Sequence, residues 1–425
     1  MRIKSRVRTT ILIGAVAVLG SIALPASAVN RPVQPARIGA PVAVGVDGNE
    51  PIIKIASDGT MYISALEYLY VSKDGGHTWF KSPGTLMNNP ANQKQGVNSN
   101  TDSSIDIDAK GRLYFTFDYP YAGTTAVCTS DDAAQHFACD LAALPGGTDR
   151  MWVTSPPTGP AFLTSNEALY HTIFFTSADR GASWTPAKST DSLLNPNDGP
   201  PVLNPRDGLV YQAFVDNAKN ATALDEELSG PVMIHVWDPK STTPTPAAEL
   251  TTPLLAGAAL TNLAITPDGT IYVSSEGVSG TSGGNPTGKN VQVARSSDGG
   301  KTWTVMTIPG TSRGTAAFSW IATGANGHVG VIYYQSALGG KADTVTGPWD
   351  LVWAESLNAN AAHPTWSVQV VQPKVHTGII CGTASCTGNG RFAGDFIGAA
   401  FDNRGHAHLT WVKDSGSLQV MYAGN

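Results

Sequence analysis

A chain of 425 residues that is 41% hydrophobic and 14% charged, with 45 Gly and 28 Pro, can bury a large core and is built for many turns. The formal charge is −6, and loss of the first 28 residues would remove four basic groups and no acidic one, leaving 23 basic against 33 acidic, a net −10. No Lys/Arg run follows residue 28, which counts against nucleic acid and anionic membrane as partners.

In chain order, Arg2, Lys4, Arg6 and Arg8 precede a short apolar run from Ile11 to Leu24 and a small-residue step, Ala26-Ser27-Ala28. This predicts a signal peptide over 1–28, cleaved after Ala28, and an exported chain. Residues 29–425 are expected to form one domain. Within it, Ser72-Lys-Asp74-Gly-Gly76-His-Thr78-Trp79 is the first of three near-identical turns. Ser177-Ala-Asp179-Arg-Gly181-Ala-Ser183-Trp184 and Ser297-Asp298-Gly-Gly300-Lys-Thr302-Trp303 are the others. Each has an acid that can accept backbone N–H bonds, a Gly for the backbone angle, and a Trp that opens the next strand.

Weaker copies fill the gaps at Ser130-Asp-Asp132, Trp237-Asp238 and Ser356-Leu-Asn358, so the acid position recurs at 74, 132, 179, 238, 298 and 358. A second series interleaves with it: Asp58-Gly59, Lys110-Gly111, Asp207-Gly208, Asp268-Gly269, Asn326-Gly327 and Asn403-Arg404-Gly405, each leading into an alternating strand. Every unit of about 60 residues therefore reads strand, tight turn, strand, longer loop, strand, acid turn, strand. The fold class is all-β, a propeller of four-stranded antiparallel blades, seven by this count with six the alternative. Ser417 to Tyr422 is the third strand of the last blade, and the N-terminal strand near 38–46 is expected to supply its fourth.

Strand order sorts residues by rim. The acid turns share one rim with the tight turns, which makes Asp74, Asp179 and Asp298 structural. The other rim collects Glu50, Asp102, Asp149, Arg150, Asn262, Arg313, Trp320, His376, Arg391 and Asp395, together with the loops 216–230, 276–290, 335–350 and 370–390. A guanidinium is a planar fork for a carboxylate, so Arg150, Arg313 and Arg391 could clamp an anionic sugar, or each could brace a loop by pairing with a local acid such as Asp102 or Asp395. The four cysteines fall as near pairs, Cys128/Cys139 and Cys381/Cys386, which in an exported chain reads as two local disulfides. His376 beside the second pair is a candidate proton carrier, ligand or hydrogen-bonded post.

The three turns carry a resemblance to the sialidase superfamily, whose Asp-box repeats they match, and the repeat pattern covers nearly all of 29–425. More narrowly the chain is similar to secreted bacterial sialidase-like propellers with an Asp-Arg-x-Trp step, here Asp149-Arg150-Met151-Trp152. Their late segment reads here as His376-Thr-Gly378, Cys381, Cys386, Arg391 and Gly394-Asp395-Phe396. The resemblance implies an arginine triad for a sialate carboxylate, a Tyr nucleophile with a neighbouring Glu, and an Asp acid/base. At the place of the Arg-Ile-Pro step this chain has Asn49-Glu50-Pro51-Ile52, and no Tyr/Glu pair is assigned by motif, although Tyr333, Tyr334 and Glu276 lie in strands.

Two functions stand side by side. One is exo-glycoside hydrolysis of an anionic sugar, with Arg150, Arg313 and Arg391 as clamp and Asp149, Asp102 or Asp395 as acid/base. The other is a non-catalytic propeller that binds an extracellular glycan or protein, with Trp320, Tyr119 and Tyr121 as stacking surfaces and His376 beside them. No cofactor is implied. A structural calcium held by Asp102, Asp149 and Asp395 is the metal reading left open. The expected form is a monomer whose partner is an extracellular glycan or glycoprotein.

Overall fold

The computed structural model describes residues 35–425 other than 47, 67, 84–101, 120–123, 146, 158, 168–170, 190–196, 217–229, 242, 244, 257–260, 279–280, 283–284, 287–288, 312–313, 382–387 and 415. The leader segment 1–28, Tyr121, Arg313 and Cys386 therefore lie outside the described residues, and for Tyr119, Asp149 and Arg150 the backbone course alone is described.

Seven four-stranded antiparallel blades form a β-propeller. Blade 1 is Pro51–Ile55, Met61–Ala65, Tyr68–Ser72 and Phe80–Lys81, and blade 2 is Ser103–Ile107, Leu113–Tyr119, Thr124–Ser130 and Ala138–Pro145. Blade 3 is Gly147–Thr154, Ala161–Glu167, His171–Ser177 and Thr185–Ser189. In blade 4 the innermost place is shared by Asn197–Asp198 and Val202–Leu203, followed by Val210–Val215, Gly230–Trp237 and Ala248–Ala256. Blade 5 is Leu263–Ile265, Ile271–Val278, Lys289–Ser296 and Thr304–Thr307, and blade 6 is Thr315–Thr323, Val329–Ser336, Pro348–Ser356 and Ser367–Thr377. Blade 7 takes Gly398–Phe401, Ala407–Asp414 and Leu418–Gly424 from the C-terminal end, and Val42–Gly45 pairs antiparallel with its third strand. Inner strands such as Thr315–Thr323 and Ser103–Ile107 are buried along nearly their whole length because both faces are covered by neighbouring blades, whereas outer strands alternate. Ser367–Thr377, for example, exposes Val368 and Val370 between half-buried residues.

The recurring turns close as side-chain knots. Thr78 donates its N–H (2.9 Å) and its hydroxyl (2.5 Å) to the Asp74 carboxylate, which also accepts from the Ser72 hydroxyl at 2.9 Å. Ser177, Asp179 and Ser183 repeat the pattern. In the third turn the Ser position belongs to Ser296, one residue before the Ser297 of the sequence pattern. Ser296 bonds Asp298 at 2.8 Å and accepts the Gly300 N–H at 2.8 Å, which restores the two-residue Ser-to-Asp spacing of the other turns. The degenerate copy at Asp132 closes the same way onto His136, with Ala133 and Ala134 at φ 58° and 65° where glycines stand in the first turn. Cys128 and Cys139 face each other across blade 2 and form a disulfide. Cys381 is also disulfide-bonded, and its expected partner lies outside the described residues.

These knots set an acid limb. The Thr78 hydroxyl, then its N–H, holds the Asp74 carboxyl down at about 2, and the Ser183 hydroxyl and N–H hold Asp179 at about 2, against an ordinary 3.8. A depressed folded-state pKa adds stability above the unfolded value of about 4 and loses it as pH falls towards about 2. Acid unfolding followed by circular dichroism should therefore show a decline through that window. The decline should be shallower in an Asp74→Asn/Asp179→Asn variant, and an unchanged slope would count against this role.

Candidate functional site

Alternating strand direction puts the start of every inner strand on the rim opposite these knots. An acid stands at or just before that start in four blades: Glu50, Asp102, Asp198 and Asp395. Asp395 is 3% exposed and receives the Arg391 guanidinium at 2.8 Å, a pairing of residues four apart just after the turn Gly388–Arg391. Glu50 clasps the same segment: its carboxylate accepts the Asp395 N–H at 3.0 Å, and its own N–H donates to the Ala393 carbonyl at 3.2 Å. Gly394 lies against Glu50 at φ 70°, where a Cβ would sit 2.2 Å from the Glu50 Cγ, so this position requires glycine. The Arg391 side chain is 39% exposed, and among the described residues it makes no other hydrogen bond. The arrangement is a half-open cation fixed on a buried carboxylate, able to offer its remaining N–H groups to an anion.

Among the described residues, three aromatic side chains pack together at the centre of the ring. Phe396 follows Asp395 directly and packs on Trp152 (5.1 Å between ring centres) and Trp320 (5.5 Å), which touch each other at 5.9 Å. Trp152 donates its ring N–H to the Asp198 carbonyl at 2.7 Å, and the gap left among Asp102, Ser103, Met151, Trp152 and Phe396 is only about 10 Å³. Trp320 is thus part of the plug and offers no open ring face. His376 is buried under Phe392, stacked at 4.1 Å, with its two ring nitrogens facing the Asp414 carboxylate and the Ile379 carbonyl. These contacts join the late segment around Ile379 and Phe392 to Asp414 of blade 7.

Of the residues expected on this rim, the structure brings Arg391 and Asp395 together and sets Asp102 beside the plug. Asp149 lies in the first strand of blade 3 opposite Asn166, and the pairing is irregular between Asp149 and Trp152. Tyr119 ends the second strand of blade 2 opposite Thr124. Tyr333 and Tyr334 are buried, and burial pushes both phenols far up. Tyr334 is tied to the Val412 backbone. Glu276 accepts the Ser319 N–H across the seam between blades 5 and 6. Sequence reasoning missed Asp198, which is fully buried and accepts from Thr172 at 2.6 Å; Asn197-Asp198-Gly199 reads as a turn, and only its place at an inner-strand start marks it. Among the described residues no group of three or more His, Cys, Asp or Glu is arranged to hold a metal ion.

No protein-family model matches the chain, and no curated protein matches it by sequence. Solved structures do. A polysaccharide lyase of family PL25, an ulvan lyase, superposes with a TM-score of 0.54 at 12% identity over 90% of this chain and 95% of that one. The likeness shows the fold. Lower similarity links the NanB sialidase of Streptococcus pneumoniae (TM-score 0.45, 14% identity, 93% of this chain and 70% of that one) and a protein of unknown function from Dyadobacter fermentans (TM-score 0.45, 13% identity, 91% and 98%). No helix of the described residues is long and apolar enough to cross a membrane.

Proposed function

We propose that this is an exported glycan-binding propeller that takes an acidic sugar at the rim carrying Glu50, Asp102, Arg391 and Asp395. The observation that carries the reading is Arg391, held half-open at the channel mouth by a buried acid that is itself clasped by Glu50. Among the described residues, the aromatic cluster of Trp152, Trp320 and Phe396 takes up the centre beside this rim, which supports binding as the first reading. Export rests on the leader pattern of residues 1–28 and on the Cys128–Cys139 disulfide. The knotted turns at 72–79, 177–184 and 296–303 support membership of the Asp-box propellers of the sialidase superfamily. The ulvan lyase was solved with a glucuronate-containing unit bound, an acidic sugar on the same fold.

Titration of the secreted protein with uronate- and sialate-bearing oligosaccharides tests this. Arg391→Ala should weaken binding by roughly 10- to 100-fold, the worth of a charge-assisted hydrogen bond; because it also takes the cation from the buried Asp395 carboxylate, the melting temperature should fall as well, and binding is compared at a temperature where both proteins are folded. Absence of binding to every acidic oligosaccharide would overturn the reading. Turnover of a fluorogenic acidic glycoside that disappears in Arg391→Ala would replace it with hydrolysis.

A further inference from the structure

His376 stands one residue from the end of the outer strand of blade 6, with its side chain 1% exposed, and both of its polar contacts are of one kind. Nε2 lies 3.0 Å from the Ile379 carbonyl, and Nδ1 lies 3.3 Å from the carboxylate of Asp414, the last residue of Ala407–Asp414 in blade 7. A carbonyl oxygen and an ionised carboxylate accept hydrogen bonds and donate none. A neutral imidazole carries one N–H, so in either tautomer one of the two contacts sets lone pair against lone pair. Both are hydrogen bonds only when the ring carries both protons. The fully bonded form is therefore an imidazolium paired with Asp414. That carboxylate is 12% exposed, its other oxygen accepts the Gly416 N–H at 3.3 Å, and no second cation reaches it among the described residues.

From this ring the contacts run to Arg391 in short steps. Ile379 lies against Gly390, where a Cβ would sit 3.0 Å from the Ile379 Cγ1, and Cys381 donates its N–H to the Gly390 carbonyl at 3.0 Å. Gly390 and Phe392 flank Arg391 in the chain, and the Phe392 ring stacks on the His376 ring at 4.1 Å with the planes 10° apart. The Arg391 carbonyl accepts the Gly394 N–H at 3.0 Å, the step that leads to Asp395. Arg391 is thus held on both sides by residues that rest on His376. The other charged groups on the elements packed around the ring form no hydrogen bond or ion pair with it. Lys374 and Asp350 sit at the outer edge of blade 6, where Asp350 accepts the Lys374 N–H. Lys413 precedes Asp414 and turns to the opposite face of its strand. Lys341 and Asp343 flank Ala342, whose carbonyl takes the Ile380 N–H, and Arg391 itself is turned to Asp395.

We propose that His376 is a proton-operated latch on the acidic-sugar rim: the imidazolium seats Ile379 and Phe392 and so fixes Arg391 for binding, and loss of one ring proton releases one contact and weakens binding. Imidazole is the side chain whose ordinary charge change falls between about pH 5 and 8. The latch is closed at the acidic end of that range and open at the alkaline end. The inference rests on Arg391 being the contact for an acidic sugar.

Two measurements keep the latch and that reading apart. In the protein without sugar, nitrogen NMR of the His376 ring and amide exchange of residues 379–381 and 390–395 are followed from about pH 5 to about pH 8. The ring should carry both protons at the acid end. Exchange, corrected for its intrinsic pH dependence, should quicken by about fivefold or more as one proton is lost. Binding of a sialate- or uronate-bearing oligosaccharide should weaken by about five- to tenfold over the same range. Asp414→Asn gives the sharper contrast, because its amide can donate to Nδ1: the neutral ring then keeps both bonds, and affinity should no longer fall as pH rises. His376→Gln, with no titrating group, should likewise bind equally at both ends, and it serves if Asp414→Asn folds poorly. A ring holding one proton at the acid end, titration with no change in exchange at residues 390–395, or the parent's pH profile retained in both variants would overturn the proposal. Failure to bind any acidic sugar at any pH would overturn the reading of Arg391, and the ring spectra and exchange would still decide the latch.

Discussion

Trp152→Ala is expected to lower the free energy of unfolding by about 4 kcal/mol, the cost of deleting a large aromatic from a packed core. Trp152 is 2% exposed and touches both other rings of the central plug, Trp320 and Phe396. Its loss leaves a cavity that three separate parts of the chain would have to collapse into: blade 3, blade 6 and the segment leading into blade 7. These are held apart by their own sheets, so little relaxation is available, and the cost should sit towards the upper end of the usual range. The indole N–H also satisfies the Asp198 carbonyl at 2.7 Å, and alanine leaves that acceptor buried. Val368→Ala is the matching control: that side chain is 43% exposed on an outer strand, and its removal should cost no more than about 0.5 kcal/mol. Guanidinium unfolding of both variants decides it, and a Trp152→Ala cost below about 1 kcal/mol would mean the ring centre is not packed as described.

The blade count was legible because turn chemistry is local. An acid, a hydroxyl two residues before it and another four residues after it close a knot wherever the three recur, and strand order then follows. The same locality explains the one-residue misreading at Ser297, where two adjacent serines offer the same chemistry and only the hydrogen bonds distinguish Ser296. It also explains why the Asp132 turn looked weak: Ala133 and Ala134 accept the left-handed backbone that the glycine pattern advertises elsewhere. The Arg391–Asp395 pair could be read from its spacing of four. The plug could not, because Trp152, Trp320 and Phe396 meet through the closure of the ring, and an aromatic on a functional rim looks alike in sequence whether it presents a face or fills a hole. Asp198 was hidden for a related reason: its role comes from its place in the ring, and its neighbours spell an ordinary turn.

A chain beginning at residue 47 is expected to fold poorly or not at all, because the ring is closed by a strand taken from the other end of the sequence. Val42–Gly45 lies on the third strand of blade 7 with Val42 opposite Tyr422 and Ala43 opposite Met421. The residues before it are gripped at both flanks. The Gln369 side chain of blade 6 accepts the Ile38 N–H at 3.1 Å and donates to its carbonyl at 3.0 Å, Gly39 donates to the Gly424 carbonyl at 2.9 Å, and Asn425 reaches the Ala36 carbonyl at 2.9 Å. Gly45 also runs so close to Tyr70 of blade 1 that a Cβ there would sit 2.5 Å from the ring, so the strand touches the blades on either side of the closure. Losing the burial of Ile38 and Val44 together with these bonds removes on the order of 5 kcal/mol, a large share of what holds a domain folded. It also bares the edge of Leu418–Gly424, an unpaired row of N–H and C=O groups that other chains can join. The truncated chain should therefore show rapid amide exchange at Leu418–Gly424 and a tendency to aggregate, and a synthetic peptide of residues 35–47 added in excess should restore protection where a scrambled one does not. Retention of the full-length unfolding midpoint by the truncated chain would show that the C-terminal strands close the ring without it.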